Sequence, residues 1–481
     1  MAEDRMGVRF THSTRRVGEP RTGERGGLNC VACKGQLQPD MKDWNNEANL
    51  GNCSCVALPP ASLQGIANKA AQDNTYRFRN LFGMLSVGYL FWCWDFINRK
   101  ASAGVDRIDA QAYEENLLVN IDQLVQQVKA KTYRAKLVLR KYIPKTGGKL
   151  RPLGIPAIAD KLLQLGVAKI LEAIYEQDFL NCSFGYRPRR SVHNAIKELS
   201  SALRTGWYHH VVEADIKSFF STIDHELLLE MLATRIDDKP FLNLIRKWLK
   251  AGILETDGQV IHPITGTPQG GVVSAILANI YLHHVLDVWF EEKVRKHCTG
   301  QVYYCRYADD FVCAFQNARD AKRFYEALSK RLGRYGLQVA EDKTRIIEFS
   351  HCKARAKTKF DFLGFEFRWG VNRWGKPTLK RRTSREKLQA SLAKLKEWFR
   401  KYSGLPKKIL FAKLNRKLRG YYNFYGIRGN SKSLSSFAYR VGQLFYKWLN
   451  RRSQRKSYNV VGFKALLKDF ELIKPRICHD F

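Results

Sequence analysis

The strongest constraint on the fold is the run "VYYCRYADDFVCAF" at residues 302–315, where two adjacent carboxylates, Asp309 and Asp310, interrupt aromatic, aliphatic and cysteine residues. The run reads as two short β-strands, and a strand pair buried on its faces strands any charge that is not paired. The aspartates therefore belong at the turn between the strands, and something cationic must compensate them. Aspartate is also common in plain hairpin turns, so the pair alone does not separate chemistry from local geometry.

A third aspartate narrows the choice. Asp215 ends the apolar strand "VVEAD", 94 residues before Asp309. With that strand beside the hairpin, three carboxylates meet on one sheet edge, an arrangement that divalent cations make stable at neutral pH. Hard oxygen ligands suit Mg2+. Two such ions about 3.5–4 Å apart can activate a hydroxyl and stabilise a leaving pyrophosphate in in-line phosphoryl transfer.

Charge points to the partner. The 481 residues carry 82 Lys+Arg against 45 Asp+Glu, a formal net charge of +37, and residues 351–481 alone hold 34 basic and 7 acidic side chains, a net +27. These basic residues are interleaved with Trp, Tyr and Phe, which suits stacking on bases as well as neutralising phosphates, so nucleic acid is expected rather than a membrane surface. The 45% apolar content lets a chain of this length bury sizeable cores. Its 11 cysteines are scattered and odd in number, and the first 28 residues are charged. A secreted disulfide framework is therefore not expected, and a reducing, cytoplasmic setting is. The most apolar stretch, "LFGMLSVGYLFWCWDFI" at 81–97, has 17 residues and includes Asp95. That is short of the ~20 usual for a membrane span and reads as a buried helix.

Along the chain, residues 1–70 read as a poorly ordered polar leader. Cys30, Cys33, Cys53 and Cys55 lie inside it. Four thiolates could hold a zinc, but the second pair has one intervening residue where zinc knuckles have two or more, which favours free thiols. Residues 71–370 alternate helical and strand patterns and read as α+β, with helices on an antiparallel sheet. "IADKLLQLGVAKILEAIYEQ" is one such helix, with its apolar residues mostly on one face. From 371 to 481 the strand signal fades into a basic helical region. Thr383 and Glu386 are spaced as a capping box, followed by Leu388, Leu392, Leu395 and Phe399 at helical intervals.

The motifs taken together resemble a known family. Tyr307-Ala308-Asp309-Asp310 is similar to the catalytic hairpin of reverse transcriptases, and "EADIKSFFSTIDH" to their other palm aspartate motif. "IPKTGGKLRPLGIP" (143–156), "SFGYRPRRSVHNAI" (183–196), "TPQGGVVSAILANIYL" (267–282), "EDKTRIIEF" (341–349) and "FDFLGFEF" (360–367) resemble further motifs of group II intron reverse transcriptases and maturases. "GYYNFYG" (420–426) resembles their thumb, or maturase, segment. The likeness covers roughly residues 75–481.

The resemblance implies a right-hand polymerase: fingers and palm with an antiparallel palm sheet, then an α-helical thumb. It implies RNA-directed DNA synthesis from a DNA primer and dNTPs, with Asp215, Asp309 and Asp310 holding two Mg2+ ions, and binding of intron RNA to assist splicing and retrohoming. Lys145 and Arg151 match positions that touch the incoming triphosphate, and Lys149 could share that task. Phe220 resembles the steric gate against a 2′-hydroxyl, although Phe219 could exchange roles with it. Gln269 resembles the glutamine near nucleotide and template. Lys343 matches a lysine near the pyrophosphate or else is an exposed strand-end charge. RNA contacts are expected from Arg381, Arg382, Lys413, Arg416, Lys417, Arg419, Tyr421 and Tyr422. The chain departs from the family pattern at Arg107 and Asp109, where Gly and Thr are commoner, and at Arg189, where Gly is frequent; the subgroup and template contacts stay open. No endonuclease segment is expected after the thumb. Two rival readings share these residues: an RNA-binding splicing cofactor with an idle polymerase site, and a domesticated relative serving defence or repair.

Overall fold

The described part of the chain opens with helices α1 (Ala61–Gln72), α2 (Val87–Trp94), α3 (Ala110–Glu114) and α4 (Leu117–Lys129). The computed structural model describes residues 60–144, 150–353, 358–452 and 457–481. The polar leader up to residue 59, with Cys30, Cys33, Cys53 and Cys55, lies outside the described residues, as do Lys145 and Lys149. The expected leader runs too far, because α1 already packs at Leu63 and Ala70, both buried. The apolar stretch at 81–97 does form a core helix. It is only eight residues long because the Ser86 side chain accepts the Tyr89 N–H and starts α2 midway; Tyr89, Leu90, Cys93 and Trp94 are buried.

Strands β1 (Val138–Pro144) and β2 (Leu150–Ile155) follow, then α5 (Ile158–Tyr175), α6 (Val192–Thr205), β3 (His210–Ala214), α7 (Phe219–Thr222), α8 (His225–Ala233) and α9 (Lys239–Leu249). Helix α5 is buried on nearly every side, including Asp160, Lys161 and Gln164, and so is a central core helix rather than a one-faced surface helix. The short strands β4 (Ile253–Leu254) and β5 (Val260–Ile261) complete a sheet of order β2-β1-β4-β5. Next come α10 (Ser274–Leu282), two π-helical turns at His283–Asp287 and Phe290–Val294, and α11 (Arg295–His297). The hairpin β6 (Val302–Tyr307) and β7 (Asp310–Phe315), α12 (Ala318–Gly333) and β8 (Arg345–Glu348) then build an antiparallel sheet of order β6-β7-β3-β8.

Both faces of β3, β6 and β7 are largely buried, while the edge strand β8 is mostly exposed. Val212, Phe311 and Cys313 face the core shared with α5, α8, α9 and α10, whereas Val211, Val312 and Ala314 face a second core that includes Ala195, Ile196 and Leu199 of α6. Burial on both sides explains why these strands read as nearly continuous apolar runs.

The second core continues into a sheet of order β11-β10-β9, made of β9 (Lys359–Phe362), β10 (Phe365–Val371) and β11 (Pro377–Thr383), and into helices α13 (Arg385–Tyr402), α14 (Lys407–Tyr425), α15 (Ser431–Leu449) and α16 (Val460–Asp469). A boundary at 370/371 would cut β10, which pairs with β11 from Phe365↔Thr383 to Val371↔Pro377, so the helical part opens instead at Arg385. The N-cap is also one residue later than expected. Ser384, not Thr383, accepts the Lys387 N–H, while Thr383 ends the strand.

Candidate active site

Strand register brings the aspartates together. In the β3/β7 pairing Val212 faces Cys313 and the last rung sets Ala214 against Phe311, so Asp215 follows directly after that rung on one strand and Asp310 stands directly before it on the other, near enough to act on each other electrostatically. Tyr307 pairs with Asp310 across the β6/β7 hairpin, leaving Ala308 and Asp309 as its two-residue turn. Ala308 has φ 56, a left-handed conformation that costs an alanine about 1–3 kcal/mol and persists only where its surroundings over-determine it. Gly185 of the "SFGY" stretch lies directly behind: a Cβ there would sit 2.4 Å from the Ala308 nitrogen.

The carboxylates repel one another. Asp310 keeps exposed surface, and its carboxyl is pushed up to about 6, first by lost hydration, then by Asp309 and Asp215, with Lys343 and Lys387 opposing. The Lys343 ammonium forms an ion pair with Asp215, and that hydrogen bond raises the lysine above its ordinary range. Among the described residues no three His, Cys, Asp or Glu side chains already enclose a metal position. The donor set nevertheless fits a hard divalent cation: three carboxylates on adjoining strands whose mutual repulsion such an ion would relieve.

Of the residues expected to meet the nucleotide, Arg151, Phe220, Gln269 and Lys343 lie within the described residues. Arg151 is exposed on β2 opposite Ile143. It acts electrostatically on Tyr186, whose phenol is raised by burial, then by Asp309, with Arg151 opposing. Tyr186, although inside the "SFGYRPRRSVHNAI" stretch, and Lys387, next to Glu386, are not expected at the site from the sequence reading. Phe219 is buried against Tyr281, while Phe220 is half-buried, which separates the two phenylalanines whose roles sequence left interchangeable. The Phe220 carbonyl accepts the Thr267 N–H at 2.7 Å, and the Gln269 carbonyl accepts the Gly154 N–H at 2.7 Å, tying the "TPQGG" loop to both α7 and β2. Gly270, at φ +120, has no room for a side chain, since a Cβ would lie 2.5 Å from the Gly154 oxygen.

The residues expected to touch RNA divide into two groups. Lys413, Arg416, Lys417 and Arg419 are exposed on α14. Arg382 is partly exposed and bridges Glu366 at 2.7 Å. Three others face inward and correct the expectation. Tyr422 is 1% exposed in the second core, and Tyr421 stacks on Phe437 with centroids 3.6 Å apart. Arg381 is buried, donating to Ser200 Oγ at 3.2 Å and to the Phe481 and Arg428 carbonyls at 2.6 and 3.3 Å. Burial pushes its guanidinium down to about 10. The inward side of α14 carries aromatics because the helix docks on α15, so the "GYYNFYG" rings are packing groups. No described helix is long and apolar enough to cross a membrane.

Comparison with known proteins agrees with this geometry. Residues 143–367 match the family described as reverse transcriptase (RNA-dependent DNA polymerase), and residues 388–465 match the group II intron, maturase-specific domain. The group II intron-encoded protein LtrA of Lactococcus lactis subsp. cremoris is 30% identical over 467 residues, spanning 79% of this chain and 76% of that protein. Protein YkfC of Escherichia coli K12 is 35% identical over 279 residues, 50% of this chain and 71% of that protein. An uncharacterized 91 kDa protein in the cob intron of Schizosaccharomyces pombe is 42% identical over 173 residues, 36% of this chain and 21% of that protein. With an aspartate hairpin on an antiparallel sheet, and a helical C-terminal region matched separately, the chain belongs to the group II intron-encoded reverse transcriptase and maturase family and is an RNA-directed DNA polymerase.

Proposed function

We propose that Asp215, Asp309 and Asp310 are the metal ligands of the polymerase site. The β3–β8 sheet and its helices then form the palm, the β1/β2 hairpin and its neighbours the fingers, and α13–α16 the thumb. The observation that supports this reading is the register that ends β3 at Ala214 against Phe311, leaving Asp215 and Asp310 flanking that last rung next to the turn bearing Asp309. Bound there, two Mg2+ ions would make the primer 3′-hydroxyl a better nucleophile and neutralise charge on the leaving pyrophosphate.

The chain's own groups supply the rest. Arg151, with Lys145 from the segment outside the described residues, binds the triphosphate, the guanidinium as a planar fork and the ammonium as a point charge. Phe220 presents a ring to the sugar and disfavours a 2′-hydroxyl, a role its partial exposure supports. Gln269 lies in the loop that joins fingers to palm. Lys343, already paired with Asp215, keeps a proton and a positive charge where the pyrophosphate departs. The basic face of α14 at Lys413, Arg416, Lys417 and Arg419 binds the backbone of an intron RNA, the same contact serving reverse transcription and assistance to splicing.

Primer extension on an RNA template with dNTPs and Mg2+ tests this. Wild-type protein should make cDNA, and Asp309→Ala/Asp310→Ala should make none while binding RNA as tightly. Retained synthesis by that variant would refute the ligand assignment. In the same assay Phe220→Ala should raise rNTP incorporation, and an unchanged dNTP/rNTP ratio would move the gate elsewhere.

A further inference from the structure

We propose that Arg306 and Asp287 are positioning residues for the aspartate turn, acting on it through the carbonyl of Ala308. The inference deepens the assignment of Asp309 and Asp310 as metal ligands and rests on it.

Arg306 in β6 and Asp287 at the end of the first π-helical turn are both 0% exposed. An isolated buried ion pair is expensive to desolvate and can often be replaced by apolar side chains without loss of stability, so its presence two residues before the turn calls for a reason. The hydrogen bonds supply one. Arg306 Nε donates to Asp287 Oδ1 at 2.7 Å, and Nη2 donates to Asp287 Oδ2 and to Ser183 Oγ, the latter at 2.8 Å. Nη1 donates to Asn279 Oδ1 at 3.0 Å and to the Ala308 carbonyl at 3.1 Å. All five guanidinium N–H groups are thereby used, and one of them holds the single residue of the turn that has left-handed backbone.

The network also fixes what stands behind the turn. Asn279 Nδ2 donates to the Gly185 carbonyl at 2.6 Å, and Gly185 is the residue with no space for a Cβ against the Ala308 nitrogen. One guanidinium thus grips the aspartate turn while its partner amide holds the backing segment at Gly185 in place. Asp287 reaches the guanidinium from a π-helical turn, a local widening that re-aims side chains within an otherwise α-helical rod. A lysine could answer Asp287's charge but lacks the fork that reaches Ala308 and Asn279 at once. Carboxylates that follow a strained residue take their aim from it, so loosening the grip on Ala308 should weaken metal binding without touching RNA.

The test compares wild type, Arg306→Met/Asp287→Leu, Arg306→Lys and Asp309→Ala/Asp310→Ala. Readouts are thermal melting, RNA affinity, Mn2+ binding followed by electron paramagnetic resonance, and primer extension at saturating dNTP. The paired apolar variant removes both charges together. It should melt within a few degrees of wild type and bind RNA equally, yet bind Mn2+ about 10-fold more weakly and extend primers about 10–100-fold more slowly, the range found when groups supporting metal ligands are lost. Arg306→Lys should show the same split between unchanged RNA binding and weakened Mn2+ binding. Wild-type Mn2+ affinity and rate in either folded variant would overturn the proposal and leave the network a purely structural element. So would failure of both to fold. Should Asp309→Ala/Asp310→Ala bind Mn2+ like wild type, the fault would lie with the ligand assignment instead.

Discussion

Gly185→Ala is the most direct probe of how tightly the aspartate turn is held. An added Cβ would stand 2.4 Å from the Ala308 nitrogen, 3.0 Å from the Tyr307 carbonyl carbon and 3.1 Å from the Ala308 Cα, all of them backbone atoms that cannot rotate away. Ordinary contact begins at 3.4 Å, so the aspartate turn or the segment around Gly185 must retreat by about 1.0 Å, the difference between 3.4 and 2.4. Overpacking of this kind costs about 1–3 kcal/mol. A displacement of about 1 Å in a reacting group costs on the order of 10²-fold in rate. The substitution should therefore lower the melting temperature modestly and reduce the primer-extension rate about 100-fold at saturating dNTP, with RNA affinity unchanged. Gly442→Ala in α15, where an added Cβ meets nothing within 4 Å, is the control and should gain about 0.5–1 kcal/mol. A Gly185→Ala enzyme within two- to three-fold of wild-type rate would refute the claim that the turn is rigidly backed.

Four further outcomes are expected. Asp310, raised to about 6 against an unfolded value of about 3.9, costs the metal-free fold stability as pH rises from about 4 through 6. Stabilisation by Mg2+ in thermal melts should accordingly be small at pH 5 and grow through about pH 6; a shift independent of pH over that window would contradict the cause given. Replacing Lys413, Arg416 and Lys417 by Ala should reduce the slope of log affinity for single-stranded RNA against log salt by about 2, at about 0.7 per phosphate contact. Tyr422→Ala, by contrast, should cost about 3–5 kcal/mol in chemical denaturation and leave that slope alone. Arg107, at φ 57 where the family more often has glycine, carries left-handed strain of about 1–2 kcal/mol, so Arg107→Gly should raise stability by about 0.5–1 kcal/mol after the entropy of glycine is deducted. A loss of stability would mean that the arginine side chain contributes more than its backbone costs.

The gathering of the three aspartates at one end of the sheet was legible because a charge pair inside an apolar strand run has few physical resolutions. The core helix at 81–97 was legible too, although the cap at Ser86 that halves it was not. The RNA side was read less well. Aromatics among lysines have the same composition whether they stack on bases or on each other, and only spacing separates the two. Phe411, Leu414, Leu418 and Tyr422 recur along one side of α14, which puts Tyr422 in the apolar stripe. Strand β11 was missed because "PTLKRRT" looks like a basic loop, yet Leu379, Arg381 and Thr383 alternate inward. Arg306 carries a signal of its own: an arginine among the apolar residues of a mostly buried strand must have a buried acceptor, and that acceptor lies 19 residues upstream at Asp287.

The second core joins what sequence divides. It runs without interruption from Val211 in the middle of the aspartate sheet, through Phe360 and Phe365, to Tyr422 and Phe445 in the C-terminal helices. The reverse transcriptase and maturase-specific parts of such a chain are consequently not detachable cartridges. A gene fragment stopping ahead of Arg385 would present the rings of Phe365 and its neighbours to water and should be recovered in inclusion bodies. Shuffling C-terminal halves between homologues should succeed only where the seam is recombined together with the side chains on both of its banks.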